Sequence, residues 1–443
     1  MLAIEVQNRI KQFNPWITNP DKAESFLERF FPKEYVPRRV EPITIRPDRA
    51  LLVVGPRQSG KSTLIWHLLR PMGSQVLFLN MEDPLLRIAC TAAVELASHL
   101  QEKYQFIKAV FLDEIQHQEE AGLFIKGLID LKFHIPLLVT GSSSFHLRSK
   151  TRESLAGRAT RKLLLPFSLD ELIKHKKPQN PAALEALGEE ILTHQLVLGS
   201  YPAVILEKDD HQKKAILSDL VEALILRDAS DLFKIKRVDA FRKLLTLLAG
   251  QVGSLVNISE IAALCQVDVG TINAYLEILE ETHIVKKAYP FAGGKRREIT
   301  GAPKIFFLDN GIRNQLLNSF SPELDLRTDK GALFENWVFA EINKWLPSQG
   351  MVKFWRSKAG AEIDFVIEYG GNLFALEAKY SALKKAALSR SLSSFLDAYG
   401  PKRMGIINRT FTQDVALGNQ MINFITPLGL SEWLAAILEP PIP

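Results

Sequence analysis

The tightest constraint on this chain is a strand, loop and helix junction near its start. The apolar run Leu51-Leu52-Val53-Val54 passes into Gly55-Pro56-Arg57-Gln58-Ser59-Gly60-Lys61-Ser62, and Thr63 opens the helix-like TLIWHLLR. The spacing fits G-x-x-x-x-G-K-[ST] in the context that pattern requires, with a buried strand before it and a helix after it. The glycines permit backbone conformations that aim N–H groups at phosphate oxygens, and the N-terminus of the following helix favours negative charge. Lys61 supplies a fixed cation, and the Ser62 hydroxyl can ligate magnesium. Residues 55–63 are therefore the expected contacts for MgATP.

A second element belongs with the first. The strand-like AVFLDE ends in Asp113 and Glu114. Asp113 can support the magnesium ion, and Glu114 is placed to orient or deprotonate an attacking water. The next apolar run, PLLVTGSSS, ends in Thr140, Ser142 and Ser143. A polar group there can sense the γ-phosphate, and Ser142 is the expected one. Arg158, in ESLAGRATRK, is a candidate for stabilising transferred-phosphate charge, either within the chain or from a neighbouring copy, which leaves a homo-oligomer open.

The apolar strands LLVVG, VLFLN, AVFLDE and PLLVTGS alternate with helix-like stretches, the pattern of an α/β fold with a parallel sheet. At 443 residues the chain exceeds one ordinary core. Five segments are expected: an N-terminal helical segment (1–48), the nucleotide-binding α/β domain (49–170), a helical lid or connector (171–240), a winged helix (241–315) and a second α/β domain (325–430). Two cysteines, Cys90 and Cys265, exclude a disulfide framework or a cysteine-ligated zinc site. No run of about 18 apolar residues occurs, and the N-terminus lacks the apolar core of a leader, so a cytoplasmic protein without a membrane anchor is expected. The net charge of +5 is a weak signal over this length; its distribution matters more.

The strings GPRQSGKST, VLFLNMEDP, AVFLDEIQ, VTGSSS, ESLAGR followed by LPFSLDEL, GSYPAV, and GALFEN to LEAKY resemble a family of bacterial and archaeal AAA-type P-loop ATPases. The resemblance covers most of residues 30–430. It implies a P-loop NTPase domain, a helical segment, a winged helix and a C-terminal domain resembling PD-(D/E)xK nucleases, a restriction-endonuclease-like fold.

In the winged-helix segment, Ile261, Leu264, Ile272, Leu276 and Leu279 fall at helical spacing and read as core. Thr271, Asn273 and Glu277, on the expected reading face, carry no Arg or Lys, which weakens base readout. The wing holds Lys286, Lys287, Lys295, Arg296 and Arg297, a patch suited to phosphates, so DNA is an expected partner. In the last domain Gly331, Glu335, Asp364, Glu377 and Lys379 follow the order of a PD-(D/E)xK core. That chemistry needs carboxylates on a magnesium ion, here Asp364 and Glu377 with Glu335 nearby, and a lysine, Lys379, for the developing charge. Two readings result: an ATP-hydrolysing switch coupled to a DNA-directed, magnesium-dependent endonuclease module, or an ATP-regulated switch for protein assembly whose nuclease-like fold is inert.

Overall fold

The computed structural model describes residues 2–141, 155–225, 235–293, 301–418 and 420–438. They fall into two compact units: Met1–Pro166 with Glu281–His283, and Phe167–Glu280 with Ile284–Pro443.

The first unit is built on five strands, β1 (Ala50–Val54), β2 (Val76–Asn80), β3 (Ala109–Asp113), β4 (Leu137–Gly141) and β5 (Ala159–Leu163), in the order β2-β3-β4-β1-β5. Every pairing is parallel. β1, β3 and β4 are buried along their whole length, as their unbroken apolar runs require. β5 (ATRKL) lies at one edge and carries Arg161 and Lys162, charges that discourage further strand addition.

Residues before β1 belong to this same core. Leu2, Val6, Ile10 and Trp16 are buried in one apolar cluster with the sheet. The opposite edge, β2, is closed by side chains from this segment. Asn14 donates from Nδ2 to the Phe78 carbonyl at 2.9 Å and accepts the Phe78 N–H at 2.6 Å, while Trp16 Nε1 donates to the Val76 carbonyl at 2.9 Å. These bonds satisfy the backbone groups an edge strand would otherwise leave open.

The second unit begins with helices Leu169–Lys176, Pro181–Val197 and Asp210–Ala223. Ser168 starts the first with a capping box, accepting from the Glu171 N–H while the Glu171 carboxylate accepts from the Ser168 N–H. Three more helices follow, Val238–Gly250, Ile258–Cys265 and Val269–Glu281, and then the antiparallel pair β6 (Val285–Ala288) and β7 (Lys304–Phe307). Helix Lys330–Trp345 leads into a mixed six-stranded sheet of β8 (Met351–Arg356), β9 (Glu362–Tyr369), β10 (Asn372–Lys379), β11 (Arg403–Asn408), β12 (Gln413–Leu417) and β13 (Gln420–Ile425). Its order is β12-β13-β11-β10-β9-β8.

Within this unit the 241–315 segment is joined to the six-stranded sheet by backbone bonds. The Phe291 N–H donates to the Phe354 carbonyl at 2.6 Å, and the Phe354 N–H donates to the Tyr289 carbonyl at 3.1 Å. The helix Lys330–Trp345 adds side-chain ties, because Asn336 Oδ1 accepts the Phe307 N–H at 2.7 Å and Trp337 Nε1 donates to Gln195 Oε1 at 2.9 Å. Among the described residues no helix is long and apolar enough to cross a membrane.

Candidate functional site

The glycine loop leaves the carboxyl end of β1 and enters helix Lys61–Leu69. At Gly55 a Cβ would stand 2.1 Å from the Leu164 carbonyl oxygen, so no larger residue fits where the loop passes β5. Gly60 has φ +92° and directly precedes the helix, whose first turn receives no side-chain cap. Its leading N–H groups therefore suit an anion. Lys61 is buried, and its Nζ donates to the Pro56 carbonyl at 2.8 Å, spanning the loop. Ser59 is fully buried, with an Oγ that has no hydrogen-bond partner among the described residues.

Two further residues brace the loop or its partner strand. Arg38 is buried and donates to the Ser59 carbonyl at 2.9 Å and to the Leu165 carbonyl at 2.5 Å. It ties the segment before β1 to the loop and to the residues after β5. Nothing in its local sequence marks it for this role, since the contact to Leu165 spans most of the domain. The other is Thr140, near the end of β4.

Thr140 is fully buried and joins the acidic pair. Its Oγ1 donates a short hydrogen bond to Asp113 Oδ1 and accepts the Glu114 N–H at 3.1 Å. The same Asp113 oxygen accepts from Ser62 Oγ at 2.8 Å. Loop serine, strand-end aspartate and strand-end threonine thus form one continuous chain of bonds across β1, β3 and β4. Of the three polar residues expected at the end of β4, Thr140 is the one seen in contact with the site; Ser142, the expected one, lies outside the described residues together with Ser143.

Charge follows from this packing. Burial and the neighbouring Glu114 carboxylate push the Asp113 carboxyl up to about 6, against the Thr140 and Ser62 hydrogen bonds and the Lys61 charge. Burial acts on Glu114 in the same direction but is outweighed by Lys61, the Gln116 side chain and Arg57, which leave it below its ordinary value. Glu114 is a non-glycine residue at φ +55°, a sparsely populated backbone region. Gln116 Nε2 donates a short hydrogen bond to its Oε2. Ser62 and Asp113 fit a magnesium site that would be completed by nucleotide oxygens and water, since magnesium takes few protein ligands in such sites.

Arg158 departs from one of its two expected roles. Parallel register sets Ala159 beside Ala50, so Arg158 precedes the amino end of β5, while the loop begins after Val54 at the other end of β1. At about 3.3 Å of rise per residue the strand itself separates the two. Arg158 instead pairs with Asp130, Nε to Oδ1 at 2.7 Å. In this arrangement Arg158 stands at the end of the sheet opposite the loop of its own chain.

In the second unit, Leu376 pairs with Phe365, so Glu377 and Asp364 follow as neighbours on adjacent antiparallel strands. Each carboxylate already has partners. Asp364 Oδ2 accepts the Ala378 N–H at 2.8 Å, and Glu377 accepts from Ser389 Oγ at 2.6 Å and pairs with Lys379 Nζ at 3.1 Å. Glu335, on helix Lys330–Trp345, pairs with Lys304 Nζ at 3.1 Å, and the same ammonium pairs with Glu362 at 2.6 Å. Burial, then the Glu335 charge, holds the Asp364 carboxyl far above the usual carboxylate range. Among the described residues no group of three His, Cys, Asp or Glu side chains is placed to hold a metal ion. Of the expected magnesium ligands, Asp364 and Glu377 are cross-strand neighbours and the Glu335 charge acts on Asp364, while Glu335 is itself engaged by the Lys304 ammonium.

Of the expected phosphate patch on the wing, two lysines are described. Lys286 donates to Asn343 Oδ1 at 2.6 Å, and Lys287 pairs with Glu280 at 2.8 Å. Lys295, Arg296 and Arg297 lie outside the described residues.

Residues 47–173, which carry the glycine loop and the acidic strand end on a parallel sheet, match the family described as AAA domain. Residues 189–323 and 330–430 match two families each described as a domain of unknown function. The chain is similar to an uncharacterized protein of Methanocaldococcus jannaschii, 25% identical over 381 residues that cover 83% of this chain and 82% of that one. It is similar as well to an uncharacterized protein of Haemophilus influenzae, 25% identical over 392 residues that cover 84% and 92%. A likeness to the solved structure of AMPPCP-bound DnaA from Aquifex aeolicus covers 53% of this chain and 82% of that one at 16% identity, with a TM-score of 0.20, too slight to bear on function.

Proposed function

We propose that the chain binds MgATP at Gly55–Thr63 and hydrolyses it, using the nucleotide state as a switch. The observation that carries this reading is the bonded series Ser62, Asp113, Thr140 and Glu114. It puts a magnesium-ligating hydroxyl and a carboxylate in contact, and it holds the backbone of the adjacent glutamate. The loop amides and Lys61 bind the phosphates, Ser62 and Asp113 support the ion, and Glu114 orients or deprotonates water once it leaves Gln116. Arg158 then acts on a neighbouring copy, which makes hydrolysis depend on protein concentration. Phosphate release from ATP, measured against magnesium and protein concentration, tests the reading; no release above a protein-free control refutes it.

For the output, the engaged carboxylates of the second unit favour the inert reading of the nuclease-like fold: a winged-helix and α/β body that binds a macromolecular partner under nucleotide control. Metal-dependent cleavage assayed on single-stranded, duplex and branched DNA, with and without ATP, separates this from the endonuclease reading. Cleavage lost in Asp364→Ala would restore the latter.

A further inference from the structure

Lys304 is the first residue of β7 and comes from the segment before the six-stranded sheet, yet its side chain ends among that sheet's carboxylates. It is 5% exposed. Its ammonium meets Glu335 Oε1 at 3.1 Å, Glu362 Oε1 at 2.6 Å and the face of Phe354 at 5.4 Å from the ring centroid. Glu335 comes from helix Lys330–Trp345 and Glu362 from β9, so one cation joins a strand, a helix and a second strand. Asp364 stands two residues beyond Glu362 on β9, on the same side of the strand by alternation.

Such carboxylates cannot all be buried side by side as anions without a compensating charge, and burial already holds the Asp364 and Glu335 carboxyls above their ordinary values. A divalent ion is one solution, and it needs oxygen ligands at about 2.0–2.1 Å with nothing cationic between them. Here the charge comes from the chain itself. We infer that the Lys304 ammonium is the resident cation of this cluster, standing in for the divalent ion that a nuclease-type site would use, so that these carboxylates offer no such site while β7 stays in place. The inference draws on the nuclease-like reading only for the kind of ion excluded, and it is independent of ATP hydrolysis in the other unit.

The test uses the full chain, free of nucleotide and treated with chelator, with Mn2+ binding followed by electron paramagnetic resonance. Wild type and Asp364→Asn are expected to give superimposable titrations. Lys304→Met, which keeps the length of the side chain and removes its charge, is expected to gain a Mn2+ site that is lost again when Asp364→Asn is added. Should Lys304→Met fail to fold in chelator, judged by circular dichroism, Mn2+ should restore the native spectrum by replacing the missing charge. Three results overturn the inference: Mn2+ binding by wild type that Asp364→Asn abolishes, a folded Lys304→Met that gains no site, or an unfolded one that Mn2+ does not rescue. Loss of ATP hydrolysis would be a separate failure, since phosphate release is measured independently of Mn2+ binding.

Discussion

Replacing Thr140 by valine removes one hydroxyl from the centre of the site and leaves the side-chain shape nearly unchanged. The side chain is fully buried, so water cannot replace what is lost. The hydroxyl makes two bonds, one given to the Asp113 carboxylate and one received from the Glu114 N–H. Losing a bond to a charged group costs about 1.5–3 kcal/mol, and leaving a buried N–H unpaired costs about 1–3 kcal/mol. The added methyl offsets about 1 kcal/mol of this. A net destabilisation of about 1.5–5 kcal/mol should appear in urea unfolding. Catalysis should suffer more specifically. Asp113 retains Ser62, but both it and the Glu114 backbone lose a common anchor, and a misplacement of about 1 Å at such a group costs on the order of 100-fold in rate. The fall should lie in kcat, with KM for ATP little changed, because the loop and Lys61 are untouched. Thr140→Ser, which keeps the hydroxyl, should retain most of the rate. A folded Thr140→Val with kcat within about two-fold of wild type would refute the reasoning, as would a serine variant equally impaired.

Lys61→Ala should abolish hydrolysis and strongly weaken nucleotide binding in a fluorescent-nucleotide titration, because the phosphates lose the cation that the loop provides. Glu114→Gln should keep MgATP binding while slowing turnover by about 100-fold or more, since Asp113 and the loop remain and only the base is gone; wild-type turnover would assign the water to another residue. Arg158→Ala should leave the concentration-independent part of the rate unaltered and lower only the part that rises with protein concentration. Asp329 provides a pH prediction in the second unit: burial acts to raise its carboxyl, but bonds from Arg327 and Arg313 bring it down to about 2. A depressed value stabilises the fold above the ordinary carboxylate range and is lost as pH falls through the folded value. About 1–2 kcal/mol should therefore disappear between about pH 4 and pH 2, and Asp329→Asn should flatten that part of the urea-unfolding profile.

The parts of the molecule legible in the sequence are those whose chemistry is contiguous. The loop Gly55–Ser62 is written in adjacent residues, because a phosphate cradle is made of consecutive backbone amides and a helix start. β1, β3 and β4 announce themselves as apolar runs because a parallel strand covered on both faces has no polar side to show. The acidic end of β3 follows from the same logic, since function gathers at the carboxyl ends of such strands. Register and packing decided the rest. Sequence pointed to Ser142 at the end of β4; only the position of β4 beside β3 shows that Thr140 meets Asp113. Arg158 reads in sequence as an arginine for its own or a neighbouring site, and only parallel pairing with β1 shows it at the amino end of the sheet, away from its own loop. Arg38 and Lys304 carry no local pattern at all, because each acts on groups far away in the chain. In the second unit the order Glu335, Asp364, Glu377 and Lys379 matches a metal site along the sequence, but a site is a set of directions and charges in space. The ammonium that engages Glu335 comes from β7, a strand outside the matching segment, and only tertiary structure could bring it there.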